Sequence, residues 1–253
     1  MTTVAVLCDP PRPGLVLREL VATSPLTDAE AADLYAALLR DSVEAVAKSR
    51  GELLVNYRPE EAIDVPGESD AEEEVRAILE DVIDTENVRF EVQVGETFAG
   101  RAGNTATHLL ESEGVTSVAV TRPEAAFLAR TDIDGAAMRL RSSEVVLGGS
   151  PGGRVYYAGF GEPVDFAGAY EPPAFGTLTD RALKADLGVD FLESKPYLGT
   201  GADLADVLVQ VRARRRAGGI VPRHLAQWVA DSDLEVEAED KTHHGQCLTL
   251  RKP

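Results

Sequence analysis

The residues best suited to chemistry lie in loops that follow short apolar runs. Val4 to Leu7 stops in Cys8-Asp9-Pro10-Pro11-Arg12-Pro13-Gly14, and Leu15-Val16-Leu17-Arg18 follows. A buried strand that breaks into a Pro/Gly loop carrying an acid and a base is where open α/β sheets place ligands, at strand carboxyl ends. That pattern suggests a nucleotide-type site. A second apolar run, Val115 to Val120, leads into Thr121-Arg122-Pro123-Glu124. Read alone, the arginine there is a solvated loop side chain paired with Glu124 or Asp132. A third loop, Gly148-Gly149-Ser150-Pro151-Gly152-Gly153, precedes Arg154-Val155-Tyr156-Tyr157. Its glycines permit close approach of backbone to ligand and equally suit a tight turn. Tyr156 and Tyr157 are expected on opposite faces of a strand, one in the core and the other bordering a pocket.

Other chemistries find little support. Cys8 and Cys247 do not form a metal-ligand pattern, and Cys8 reads as a small core residue. A disulfide between them is not expected in a reducing cytosol. His108, His224, His243 and His244 are scattered, so neither a nucleophilic triad nor a zinc site is indicated. The 253 residues carry 43 Asp plus Glu against 25 Lys plus Arg, a formal charge of -18. Only five of the bases are lysine. Acid excess with scarce lysine has the look of a protein from a salt-filled, halophilic cytoplasm, where a Debye length of about 3 Å screens self-repulsion. The charge argues against broad nucleic-acid or anionic-membrane binding, which needs a concentrated basic face. Arg212, Arg214, Arg215 and Arg216 form the single basic cluster and read as complements to a helix carboxyl end before Gly218-Gly219. No apolar run reaches the roughly 18 residues of a membrane span. With Met1-Thr2-Thr3 leading directly into a strand, a cytoplasmic location is expected.

The elements that must position these residues alternate in period. Thr27-Asp28-Ala29-Glu30 is a capping box, and Leu34, Leu38, Leu39, Val43 and Val46 continue a helical stripe to about Lys48. Strands are predicted at Leu53–Tyr57, Val88–Val94, Val115–Val120, Glu144–Leu147, Val155–Phe160 and Val189–Leu192. Helices are predicted at Asp70–Ile83, Gly103–Glu113, Asp132–Arg141, Thr177–Leu187 and Ala202–Arg216. Repeated β-α alternation implies a three-layer α/β/α sandwich on a mostly parallel sheet, and the short loop before Val155 adds an antiparallel pair. After Gly218 the chain changes character: a short helix, Arg223–Ala230, carries Trp228. Leu234–Ala238 and Gln246–Leu250 flank a turn over Asp240–Gly245 as a hairpin. The expected division is a domain over 1–217 and an appendage over 218–253, the appendage packing on the domain or on a second copy in a homo-oligomer.

The order of elements and several loops resemble the nucleotide-diphospho-sugar transferase superfamily with its glycosyltransferase-A-like fold. Within it, the chain resembles the selenodomain-associated transferase group, relatives of the phospholactate guanylyltransferases. The resemblance spans roughly Thr3 to Arg216 and rests on four places. Pro13-Gly14-Leu15-Val16-Leu17-Arg18-Glu19-Leu20 keeps the Pro-Gly, the Val and the final Leu of the group's opening loop, while Leu17 and Glu19 stand where the group has Lys and Arg. Thr121-Arg122-Pro123-Glu124 stands where an Asp would hold a divalent metal. Gly153-Arg154-Val155-Tyr156-Tyr157 keeps two tyrosines of the glycine loop, and Thr200, Asp203 and Leu204 keep the structural half of a later motif.

The resemblance implies a nucleotide or nucleotide sugar bound between the opening loop and the glycine loop. Asp9 is the candidate base or ribose contact. Arg12, Arg18, Arg122 and Arg154 are the phosphate cations, with Gly14, Gly152, Gly153 and Tyr156 lining the site. No metal ligand is expected, and Mg or Mn would need a site not visible in the sequence. The leading expectation is a nucleotide-sugar or nucleotidyl transferase; the alternative is a catalytically silent homologue used for binding or assembly. Four arginines around one pocket favour the first, and arginines that splay apart favour the second. A Rossmann-type cofactor binder is weaker, because no Gly-x-Gly-x-x-Gly joins a strand to a helix.

Overall fold

Strict alternation in the first strand sets the layers. In β1 (Thr2–Cys8), Val4, Val6 and Cys8 face one side of the sheet while Ala5 and Leu7 face the other, and all are buried. A strand buried on both faces belongs at the centre of a sheet covered by helices. The structure, a computed structural model, describes residues 1–241 and 245–252, and their side chains except at 239–241 and 245–247.

β2 (Glu52–Tyr57), β3 (Arg89–Val92), β4 (Ser117–Thr121), β5 (Val145–Ser150), β6 (Arg154–Phe160) and β7 (Val189–Leu192) complete a sheet of order β3-β2-β1-β4-β6-β5-β7. β1 to β4 are mutually parallel, β6 runs antiparallel between β4 and β5, and β7 is parallel to β5. This is the expected α/β/α sandwich on a mostly parallel mixed sheet. α2 (Asp28–Ala47), α3 (Ala71–Leu79) and α5 (Arg130–Arg139) cover one face through Leu39, Val43, Val75, Leu79 and Ile133. α4 (Phe98–Thr107) and α6 (Ala174–Lys184) cover the other through Ala102, Ala106, Leu178 and Ala182. The short α1 (Arg18–Ala22), α7 (Gly201–Arg216) and α8 (Arg223–Asp231) bury Leu20, Leu204, Leu208 and Leu225 against the outer side of α2 at Leu34 and Leu38. β8 (Glu235–Lys241) and β9 (Gly245–Arg251) pair antiparallel, and Val236 and Leu250 pack on that outer cluster. The turn expected between them, with His243 and His244, and the side chain of Cys247 lie outside the described residues.

Two elements differ from expectation for a physical reason. α4 begins at Phe98, five residues before Gly103, with the Thr97 hydroxyl accepting from the Gly100 N–H. Gly103 is not a helix start: its missing side chain makes room for Phe166, whose Cβ would lie 2.7 Å from an added Cβ. Gly148 and Gly149 belong to β5 instead of a loop, and the rings of Tyr156 and Phe175 occupy the space above them. Opposite, a bulge skips Tyr156 between the Gly148–Tyr157 and Gly149–Val155 pairs, so both tyrosines enter the same core cluster.

Candidate functional site

The four parallel strands end in a row, and the residue after each is polar: Asp9 after β1, Arg58 after β2, Gln93 after β3 and Arg122 after β4. The chain runs outward from β1 through β2 to β3 and returns to β4 on the other side of β1, so the carboxyl edge between β1 and β4 is a topological switch point. Gln93 is buried and laces the row together, its Nε2 donating to the carbonyls of Cys8 at 2.8 Å and Asn56 at 2.7 Å. The Asp9 N–H donates to the hydroxyl of buried Tyr35 at 3.0 Å, and the Asp9 carboxylate lies 2.8 Å from Arg58 Nε.

Arg122 projects from this row with its guanidinium 4.4 Å from the Phe98 ring centre and 5.9 Å from that of Tyr197. Its Nη2 donates to Glu124 Oε1 at 2.5 Å, and Glu124 is only 6 % exposed. Phe98 packs edge-to-face on Tyr170, at 4.8 Å between ring centres. Arg101, one turn into α4, donates through Nη1 to the Glu96 carbonyl and has no carboxylate partner among the described residues. Burial pushes the Arg101 guanidinium below its usual pKa; Asp9 pulls it back up, and the positive charges of Arg58 and Arg122 push it down again. Arg101 lies one turn along α4 from Phe98, the ring that carries Arg122, so α4 brings it to the Arg122–Glu124 pair beside the Asp9–Arg58 pair.

Unmet hydrogen bonds concentrate in the same place. Six buried side-chain polar atoms have no hydrogen-bond partner among the described residues: Arg58 Nε, Arg101 Nε, Glu124 Oε2, Ser150 Oγ, Tyr157 Oη and Tyr170 Oη. Four of the six belong to this cluster, Arg58 Nε being near Asp9 but poorly aligned to it. Buried polar groups in folded proteins are nearly always satisfied, so orphans gathered at these strand ends take their partner from outside the chain, from water or a ligand.

The other sequence-derived candidates stand elsewhere. Arg12 is 3 % exposed and spends all five guanidinium N–H groups on the segment from Glu60 to Glu74. Nε donates to Glu74 at 2.8 Å, Nη1 to Glu60 at 3.0 Å and the Val65 carbonyl at 2.8 Å, and Nη2 to Glu60 at 2.7 Å and the Ser69 carbonyl at 3.1 Å. No donor remains for a phosphate. Arg18 is exposed, bonding the Gly14 carbonyl and Asp64. Gly14 adopts φ +78° in open space. Leu17, in the left-handed region at φ 51°, turns its side chain into apolar packing where the resemblance expects a cation. Arg154 forms a two-pronged pair with Asp203, at 2.7 and 2.6 Å, tying the glycine turn to the start of α7. Gly152 and Gly153 make that turn at φ +76° and +69°, and Tyr156 is a core residue whose hydroxyl donates to the Glu193 carbonyl. The structure thus brings Asp9 and Arg122 together; Arg154 shares the Tyr197 ring with Arg122, its guanidinium 5.3 Å from the ring centre, but is committed to Asp203, while Arg12 and Arg18 are committed to other partners.

Sequence reasoning passed over Arg58 and Arg101. Arg58 was visible as the residue directly after a predicted strand, and Arg101 was hidden by the late start assigned to α4. One group of three potential metal ligands occurs among the described residues, Asp41, Glu44 and His224, whose ligand atoms lie within 4.8 Å of one another. Its buried member is already employed: the Asp41 carboxylate accepts from the His224 and Leu225 N–H groups at 2.9 and 2.7 Å, capping α8. Among the described residues, no helix is long and apolar enough to cross a membrane.

No protein-family model matches this chain, and no curated protein does. Solved structures do. A candidate nucleotide-diphospho-sugar transferase from Desulfovibrio desulfuricans aligns over 92 % of this chain and 95 % of its own, with a TM-score of 0.73 and 17 % identity. The fold is that of the nucleotide-diphospho-sugar transferases. A 4-diphosphocytidyl-2C-methyl-D-erythritol synthase from Anaerococcus prevotii aligns over 84 % of this chain and 96 % of its own, with a TM-score of 0.51 and 12 % identity.

Proposed function

We propose that this protein binds a nucleotide or nucleotide sugar at the carboxyl edge between β1 and β4, as a transferase of the nucleotidyl or glycosyl type. The observation that carries the reading is the gathering of three buried polar atoms without a partner, on Arg101, Glu124 and Tyr170, beside an Arg58 Nε poorly aligned to Asp9, at the switch point of this fold. Leaving a buried donor or acceptor unmet costs about 1–3 kcal/mol. A nucleotide removes that cost in one step. Phosphate oxygens accept from the arginines, and a sugar hydroxyl donates to Glu124. Transfer at such a centre is mainly positioning and charge stabilisation, which fixed guanidiniums supply. Asp9, paired with Arg58, would take a proton or hold a ribose hydroxyl.

A second reading has its own support. Arg12 and Arg18 bond the segment from Glu60 to Val65 and Arg154 bonds Asp203, so these arginines brace loops, as a catalytically silent homologue retaining the fold for binding or assembly would have them. Isothermal titration with UDP, GDP and their sugar conjugates separates the outcomes. The proposal expects saturable binding of at least one ligand, weakened tenfold or more in Arg122→Met, and turnover of the bound conjugate. Binding without turnover supports the silent reading, and no heat with any of these ligands refutes nucleotide binding altogether.

A further inference from the structure

We infer that this site holds the diphosphate without a divalent metal, on the guanidiniums of Arg58, Arg101 and Arg122; the inference rests on the nucleotide-binding reading above. The fold family implies a metal on the diphosphate, so the donor set at the strand ends decides whether one fits. It does not. After β4, where an acid would have to stand, the chain supplies Arg122. Each carboxylate of the cluster is already engaged by an arginine, Asp9 with Arg58 at 2.8 Å and Glu124 with Arg122 at 2.5 Å. A dication entering here would have to displace those guanidiniums while sitting beside a third positive charge on Arg101.

The charge count favours an anion instead. Three guanidiniums against two carboxylates leave the cluster one positive charge, inside a chain whose formal net charge is -18. Arg101 is the residue this balance leaves exposed to its neighbours. It is partly buried, lacks a carboxylate partner among the described residues, and keeps its Nε without an acceptor. A diphosphate supplies what is missing, negative charge with acceptor oxygens spaced for the planar fork of a guanidinium. The ring of Phe98 under Arg122 and the carbonyl of Glu96 on Arg101 fix both forks before a ligand arrives, so little ordering cost is added on binding.

The decisive experiment is calorimetric titration of the wild-type protein with UDP and GDP, once in EDTA and once in excess magnesium. The inference expects affinity in EDTA equal to or above that in magnesium, because magnesium in solution masks the charge that the arginines read. Arg101→Met should bind at least tenfold more weakly in EDTA with an unchanged circular dichroism spectrum, a loss matching a charged hydrogen bond at about 1.4 kcal/mol per factor of ten. A tenfold or greater loss of wild-type affinity in EDTA, restored by magnesium, overturns the inference while leaving nucleotide binding intact. Absence of binding in both buffers overturns the nucleotide reading and the inference with it. The wild-type comparison decides the matter even if the variant fails to fold.

Discussion

Replacing Arg12 by methionine should unfold the protein more readily without touching its ligand affinity. The residue stands in the opening loop of the chain, where phosphate contacts are expected, yet its five donors all end on Glu60, Val65, Ser69 and Glu74. It is a brace between the strand-end loop and the segment that starts α3. Gly67 lies against the face of its guanidinium so closely that an added Cβ would fall 2.3 Å from Arg12 Cζ. Removing one partner of a buried ion pair costs about 3–5 kcal/mol. The lower end applies here, because Glu74 retains the N–H groups of Glu68 and Ser69 on its other oxygen. Glu60 simply rehydrates and adds nothing to the figure. At about 2–4 °C per kcal/mol for a chain of this size, Arg12→Met should melt roughly 6–12 °C below wild type. A domain with a typical reserve of about 5–15 kcal/mol stays folded at 25 °C after such a loss, so nucleotide affinity measured there should be unchanged. An unaltered melting temperature combined with a tenfold weaker affinity would falsify the bracing role and return Arg12 to the phosphate site.

Two further outcomes follow from buried groups. The Asp41 carboxyl is raised to about 6, chiefly by burial, against the lowering effect of the His224 and Leu225 N–H groups it caps. A carboxyl held above its unfolded value binds its proton more tightly in the fold. Its stabilising contribution is therefore full below about pH 4 and is lost as pH rises through about 6, by roughly 3 kcal/mol at 1.36 kcal/mol per unit. Carbon-13 NMR of the Asp41 carboxyl should show a midpoint near 6; a midpoint at the ordinary aspartate value sinks the prediction. Gly103→Ala places a Cβ 2.7 Å from Phe166 Cβ and 2.9 Å from its Cγ. The overpacking penalty of about 1–3 kcal/mol exceeds the gain of about 1 kcal/mol from replacing a helical glycine, so the melting temperature should fall, and a rise would show that Phe166 yields freely.

Strand and helix periods were legible because burial imposes them. Val4, Val6 and Cys8 alternating with Ala5 and Leu7 can belong only to a central strand covered on both faces, and the Thr27–Glu30 box starts α2 in the sequence and in the fold alike. Misreadings cluster at glycine. Gly103, Gly148 and Gly149 look like punctuation in a sequence, whereas here each yields its side-chain space to a ring: Phe166 and Phe175 from further along the chain, and Tyr156 from the neighbouring strand. No local pattern reports such a partner. The bulge at Tyr156 is of the same kind: period two places Tyr156 and Tyr157 on opposite faces, and a one-residue irregularity opposite Gly148 and Gly149 returns both to one core.

Arginine poses a harder problem, because a guanidinium that braces a loop and one that awaits a phosphate have the same letter and often the same neighbours. What separates them is the state of their donors. Arg12 has spent all five and Arg154 is locked to Asp203 by both Nη groups, whereas Arg101 and Arg58 keep a buried Nε with no aligned acceptor. Position on the sheet separates them as well. Asp9, Arg58 and Arg122 each occupy the first position beyond a parallel strand, where the backbone leaves the sheet and a side chain is delivered to the shared carboxyl edge. Arg12 and Arg154 sit three residues further along a loop and at the head of an antiparallel strand. The topology therefore selects Arg58 and Arg122 by their register to the strand ends, α4 adds Arg101, and in an acid-rich chain the three gather from positions that no contiguous motif contains.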